Sequence, residues 1–158
     1  MPTRACYVAY KKTHPSIPIG FISAAIQQPV AALPSFAPDD SDAGTEDSPF
    51  VSARPRDKTA LDLTKARLEI LTLGVLPSHQ HCGLARRLVR RVVDALRMSC
   101  AANAVDGIPI FANVAVSNTE ALKFYKRIGL EVSPCIIRNL YRTLSYGSKD
   151  AYLVVGVI

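Results

Sequence analysis

Hydrophobic and polar positions fall along this chain in blocks of different period. Residues 5–11 (Ala-Cys-Tyr-Val-Ala-Tyr-Lys) predict a strand. Residues 17–26 (Ile-Pro-Ile-Gly-Phe-Ile-Ser-Ala-Ala-Ile) predict a second, and the turn Thr13-His14-Pro15-Ser16 between them makes a hairpin. Pro18 has no N–H for a ladder, so it must fall at a strand start or an edge. The nearly unbroken apolar run 67–76 (Arg-Leu-Glu-Ile-Leu-Thr-Leu-Gly-Val-Leu) predicts a central strand covered on both faces.

After the turn Pro77–Gly83, the period changes to that of a helix over 84–98. Ala85, Leu88, Val89, Val92, Val93 and Leu96 make its inward stripe, and Arg86, Arg87, Arg90, Arg91, Asp94 and Arg97 its outer face. Residues 108–116 predict another buried strand. Ser117-Asn118-Thr119-Glu120 has the form of a capping box and opens a helix over 119–128. Leu122, Tyr125 and Ile128 share one side of that helix, and Gly129 stands where a left-handed C-terminal cap is wanted. Strands near 130–138 and 150–157 complete a mixed α/β sheet.

One segment breaks the pattern. Pro29, Pro34, Pro38, Pro49 and Pro55 crowd residues 27–60, and five acids (Asp39, Asp40, Asp42, Glu46, Asp47) fall in one nine-residue run. Such a segment cannot bury enough apolar surface to offset its ordering entropy, so 33–58 is expected to be a long flexible insertion. The 158 residues, 49% hydrophobic and 20% charged, suit one domain that carries this insertion. No stretch is long and apolar enough to span a bilayer. The first residues carry no charged-then-apolar signal pattern. Cys6, Cys82, Cys100 and Cys135 lie far apart, so neither a disulfide framework nor a zinc site is expected. The expected location is the cytoplasm, with the nucleus also open.

The net charge is +6, and the acidic run hides a body that is more basic still. That body suits a polyanionic partner or a solubilising surface equally. The arginine face of the first helix lacks interleaved aromatics or a nucleic-acid motif, which favours a solvated face over RNA.

Two segments carry candidate chemistry. Gln80-His81-Cys82-Gly83-Leu84-Ala85 joins a buried strand to a helix start, where free N–H groups and partial positive charge can hold a pyrophosphate. Arg86 and Arg87 add charge. By itself this is also an ordinary strand–helix turn. The second segment is Asn118-x-x-Ala121-x-x-Phe124-Tyr125-x-x-x-Gly129-Leu130, which alone is a capped amphipathic helix with Tyr125 in the core.

Together the two segments resemble the signature motifs of the GCN5-related N-acetyltransferase (GNAT) superfamily. The first family motif, Arg/Gln-x-x-Gly-x-Gly/Ala, is met from Gln80 to Ala85. The second, Asn-x-x-Ala-x-x-Phe-Tyr-x-x-x-Gly-Phe, is met from Asn118 to Gly129, with Leu130 in place of the aromatic. The finer likeness is to the catalytic subunits of the E-type protein N-terminal acetyltransferases. It rests on Arg67-Leu68-x-Ile70-x-Thr72-Leu73-Gly74, Val116-Ser117-Asn118-x-x-Ala121 and Asn139-Leu140-Tyr141-Arg142.

The resemblance implies a GNAT fold: a mixed, mostly antiparallel sheet splayed at the cofactor cleft. It implies acetyl-CoA as cosubstrate and no metal. Leu73, Gly74 and Val75 would pair with the pantetheine arm. Gln80, His81, Cys82, Gly83, Leu84, Ala85 and Arg86 would hold the pyrophosphate, with His79 and His81 read as turn residues beside it. Asn118 and Tyr125 would contact the arm, with Tyr125 as general acid at the sulfur. Leu71, Leu140 and Tyr141 fall at positions that hold the peptide, Leu140 standing where the family has a Tyr. The implied acceptor is a protein N-terminus, and the implied partners are an auxiliary acetyltransferase subunit and the ribosome. A lysine or small-molecule amine as acceptor, or a weakly catalytic CoA-binding subunit, are the alternatives.

The sequence also departs from the family. The catalytic Tyr and His of the E-type enzymes are replaced by Glu69 and Asn113. Other members use a Glu on this strand as base, and burial would raise its pKa toward a useful range. A Glu at a wet cleft rim is the bland alternative. Asn113 cannot be a base but can orient a water. The family's first strand and the two helices after it are expected to be lacking.

Overall fold

The computed structural model describes residues 3–28, 66–99, 107–143 and 147–158. Its elements are β1 (Thr3–Lys11), β2 (His14–Gln27), β3 (Arg67–Val75), α1 (Leu84–Ser99), β4 (Pro109–Ala115), α2 (Thr119–Arg127), β5 (Glu131–Ile137) and β6 (Ala151–Val157). A single 3-10 turn, Pro77–His79, precedes α1. This is the predicted order, with ends shifted by at most three residues. The insertion expected over 33–58 lies outside the described residues.

The strands form one six-stranded sheet in the order β1-β2-β3-β4-β6-β5. Every neighbouring pair is antiparallel except β3 with β4. β4 and β5 both oppose β6, so they too run parallel to each other. The chain crosses from β3 to β4 through α1 and from β4 to β5 through α2. Right-handed crossovers in one direction put both helices on one face of the sheet. The core agrees: Leu88, Val89, Val92, Val93 and Leu96 of α1 and Tyr125 of α2 join one cluster with Ile22, Leu68, Ile70, Ile110 and Val154. Each fully buried aliphatic side chain contributes about 1.5–3 kcal/mol. Pro18 lies within β2, opposite Tyr10, where the β1–β2 register slips. β3 pairs with β2 only from Gly20 onward, so Pro18 occupies a locally free edge.

Two irregularities in β3 create the cleft. Ser23 pairs with Thr72 and Ala24 with Ile70, which leaves Leu71 as an extra, bulged residue. A bulge bends a strand and reverses the facing of the residues beyond it. Leu68 and Ile70 point into the core before it; Leu73 and Val75 point inward after it. Pairing with β4 covers only Leu68–Ile110, Glu69–Phe111 and Ile70–Ala112. Beyond Ile70 the two strands separate, and the β3 edge from Leu71 to Val75 is left without a β4 partner.

Candidate active site

The split opens a cleft of about 520 Å³ between the end of β3, the start of α1 and the length of α2. Leu73 and Val75 floor it. The turn after β3 is braced by its own side chains. Gln80 Nε2 donates to the Val75 carbonyl at 3.1 Å, and the Cys82 thiol donates to the His79 carbonyl at 2.7 Å. His81 and Gly83 hold left-handed backbone (φ 59° and 81°). For His81 that conformation costs roughly 1 kcal/mol, offset by a turn that aims the next N–H groups at the cleft. The Arg87 N–H donates to the Gly83 carbonyl at 3.1 Å and begins the helical ladder. The N–H groups of Leu84, Ala85 and Arg86 therefore precede any intrahelical acceptor, at the positive end of a sixteen-residue helix.

α2 forms the opposite wall. Its N-cap is Asn118, whose side-chain oxygen accepts from the Ala121 N–H at 3.1 Å. This corrects the predicted Ser117–Glu120 capping box. Ser117 Oγ instead accepts from the Ser148 N–H, and Glu120 accepts from Lys123 at 2.9 Å. Asn has the shorter reach to the third N–H, and the box partner is drawn away by an i,i+3 ion pair. That Lys123 contact holds the Glu120 carboxyl below the usual range. Gly129 ends the helix at φ 96° as expected. Its N–H donates to the Lys126 carbonyl and that of Leu130 to the Tyr125 carbonyl, a Schellman closure. Arg127 and Ile128, unforeseen from the sequence, line the cleft, so Arg86 and Arg127 face it from opposite walls.

Tyr125 is 5% exposed, and its ring meets Phe124 edge-on at 5.2 Å. Burial, with the Tyr141 phenol nearby adding to it, pushes the Tyr125 hydroxyl up to about 12. Burial raises Tyr141 as well. The Tyr141 hydroxyl donates to the Asn113 carbonyl at 2.8 Å, on β4 just past its last pair with β3. Asn113 Oδ1 is buried there with no hydrogen-bond partner. A buried acceptor without a donor costs about 1–3 kcal/mol, unless a water or ligand supplies one.

The sequence-predicted residues divide into two groups. Leu73, Val75, Gln80, His81, Gly83, Leu84, Ala85, Arg86, Asn118 and Tyr125 meet in the cleft, with His79 beside them. Gly74 and Cys82 belong to the same stretch but do not line it. Phe21 packs across Gly74, and a Cβ there would lie 2.6 Å from its ring. Glu69, Asn113, Leu71, Leu140 and Tyr141 also lie outside the lining, on or beside the strands that part. Glu69 is half-buried, and Gln27 Nε2 donates to its Oε2 at 2.9 Å. Between the two expectations for Glu69, a buried carboxylate and one at a wet cleft rim, the structure shows a half-buried carboxylate engaged from β2. Leu71 and Leu140 are 41% and 40% exposed. Asp150 orders the loop that carries Tyr141. Its carboxylate accepts from the Asn139 N–H at 2.9 Å and from Arg138 at 3.0 Å. These contacts, the backbone one foremost, hold its pKa below the usual range.

The sequence model of the acetyltransferase (GNAT) family matches residues 1–130. No curated protein sequence matches the chain significantly. Among solved structures, Arabidopsis thaliana Naa50 in complex with the bisubstrate analogue CoA-Ac-MVNAL is similar, with TM-score 0.55 and 21% identity over 92% of this chain and 69% of that one. Arabidopsis thaliana NAA60 in complex with a bisubstrate analogue gives 0.62 and 20%, over 98% of this chain and 75% of that one. The Escherichia coli ribosomal-protein-S18-alanine N-acetyltransferase gives 0.54 and 19%, over 98% and 69%. At these identities the likeness is one of fold. The family match spans most of the chain, and the split sheet and the helix-end turn agree with it: this protein belongs to the acetyltransferase (GNAT) family.

Proposed function

We propose that this acetyltransferase acetylates the α-amino group of protein or peptide N-termini. The observation that carries the reading is the split itself. Backbone donors at the start of α1 stand at one end of it, with Arg86 and Arg127 facing each other across the cleft, and Tyr141 with the unpartnered Asn113 oxygen lies where β3 and β4 part. The free edge of β3 from Leu73 to Val75 would bond the amide groups of the pantetheine arm. The N–H groups of Leu84, Ala85 and Arg86 would take the pyrophosphate, helped by Arg86 and Arg127.

Attack forms a bond from the amine nitrogen to the thioester carbon and breaks the carbon–sulfur bond. The departing thiolate takes the Tyr125 hydroxyl proton, and the amine proton passes through water to Glu69. Asn113 Oδ1 accepts from that water and holds it. Leu71 and Leu140 offer apolar surface to the first side chains of the acceptor. The similar Naa50 structure carries an MVNAL peptide in its analogue, which supports a peptide acceptor. One observation favours a second reading, a weakly catalytic CoA-binding subunit: Gln27 already engages the carboxylate asked to act as base.

The test incubates the purified chain with acetyl-CoA and peptides beginning Met-Val or Met-Leu, and follows free CoA thiol. Release with free N-termini, and none with N-terminally blocked peptides containing lysine, supports the proposal. Release only with lysine or small amines overturns the acceptor. CoA binding by calorimetry without any release supports the second reading.

A further inference from the structure

Glu69 is held from one direction. Leu68 and Ile70 point into the core, so Arg67 and Glu69 leave β3 on the opposite, helix-free face. Gln27 pairs with Arg67, Ala25 with Glu69, and Ile26 between them points into the core, so Gln27 shares that face. Its Nε2 donates to Glu69 Oε2 at 2.9 Å, and among the described residues no other group hydrogen-bonds this carboxylate. A carboxylate offers two acceptor oxygens, so a single amide bond leaves Oε1 open. Arg67 is the rival partner. It stands two residues before Glu69 on the same face, and its Nη1 is buried without a hydrogen-bond partner. Among the described residues no ion pair joins the two. A guanidinium bond to a carboxylate is roughly twice as strong as a bond between neutral groups, and the bidentate form takes both oxygens.

We propose that Gln27 is a positioning residue for the transfer: its amide holds Glu69 by Oε2, keeps the carboxylate from closing on Arg67, and leaves Oε1 to take the amine proton through water. The inference rests on Glu69 as the base proposed above. A neutral amide suits this task. It orders the carboxylate by donation without cancelling the negative charge that a base needs. Glu69 stands opposite Phe111, one pair before β3 and β4 part, and Asn113 follows Phe111 by two residues on the same face. Strand pairing therefore places the carboxylate beside the split, and Gln27 decides which of its oxygens is engaged. The same hydrogen bond has the opposite meaning if it blocks the base, and the two meanings predict changes of opposite sign.

Steady-state kinetics of the full chain, with acetyl-CoA and its best peptide acceptor, separate them. Gln27→Leu removes the donor and keeps an apolar side chain in its place. It should lower kcat about tenfold, with the peptide KM and calorimetric CoA affinity within about twofold. Adding Arg67→Met removes the rival and should recover most of kcat. In a Glu69→Gln background, Gln27→Leu should change kcat by less than about twofold, because its effect passes through the carboxylate. An unchanged or raised kcat in Gln27→Leu overturns the proposal, a rise showing that the bond blocks the base. A loss that persists in the Glu69→Gln background overturns it too, since the role is then structural. A double variant no better than Gln27→Leu overturns the part given to Arg67. Glu69→Gln tells the two failures apart. At wild-type kcat the base assignment fails, and Gln27 with it. A crippled Glu69→Gln beside an unimpaired Gln27→Leu leaves the base and overturns only the positioning. A wild-type chain that turns over no peptide overturns both.

Discussion

On the proposed donor side of the split, from Leu73 to Arg86, the groups assigned to the cofactor are backbone atoms of one continuous stretch. On the proposed acceptor side, Glu69, Asn113 and Tyr141 come from two strands and a loop. Tyr141 reaches its partner across 28 residues of sequence, and Gln27 reaches Glu69 across 42. The donor side is held by local geometry: a bulge at Leu71, left-handed residues at His81 and Gly83, and a helix start. Side-chain identity matters little where the ligand is met by N–H groups. On the acceptor side each side chain is used individually, and its neighbours decide whether it is free. A helix-end anion site is tolerant of substitution, whereas a site assembled from long-range side chains is tuned one residue at a time.

The largest effect should come where the two sides meet. Tyr125→Phe should lower kcat by about 10²–10⁴ while calorimetric CoA affinity stays within a few-fold. Unchanged kcat would remove Tyr125 from the chemistry and leave it a core residue. Gly83→Ala should act on the donor side alone. The site has open space for a methyl, yet φ 81° costs an L-residue about 1–2 kcal/mol. Acetyl-CoA should bind about tenfold more weakly, with the KM for the amine unmoved.

Asn113→Ala should do the reverse. Removing an unpartnered buried acceptor relieves its desolvation, so Tm should hold or rise, while kcat falls about tenfold. A fall in Tm would show that the amide has a structural partner. Tyr141→Phe loses one hydrogen bond, about 1 kcal/mol of stability, and should raise the amine KM several-fold without touching CoA binding. The smallest effect is in pH. Tyr125 has its pKa raised in the fold from 10.0 to about 12, so the unfolded chain ionises first. Stability attached to this phenol is whole below pH 10 and is lost as pH climbs toward 12. Denaturant titrations should show a steeper alkaline decline in the wild type than in Tyr125→Phe.

Much of this molecule is determined by sequence alone. The α1 stripe, the Gly129 stop and the Gln80–Ala85 turn are local patterns, since helix period, left-handed caps and helix-end donors depend on residues within a few positions. Gly83 and Ala85 announce the donor side because only small residues let backbone meet a ligand. The bulge at Leu71 was invisible, because an unbroken apolar run shows no parity to reverse. The Ser117–Glu120 spacing suggested a cap that Asn118 supplies, since the competition between them is settled by Lys123 and Ser148. Arg127 joined the cleft only when α2 was set against α1. The tertiary structure alone decided where β3 and β4 part, that Gln27 engages Glu69, and that the Asn113 oxygen is left without a donor. Those outcomes depend on strand pairing and side-chain competition across the sheet, and neither is encoded in any short stretch of chain.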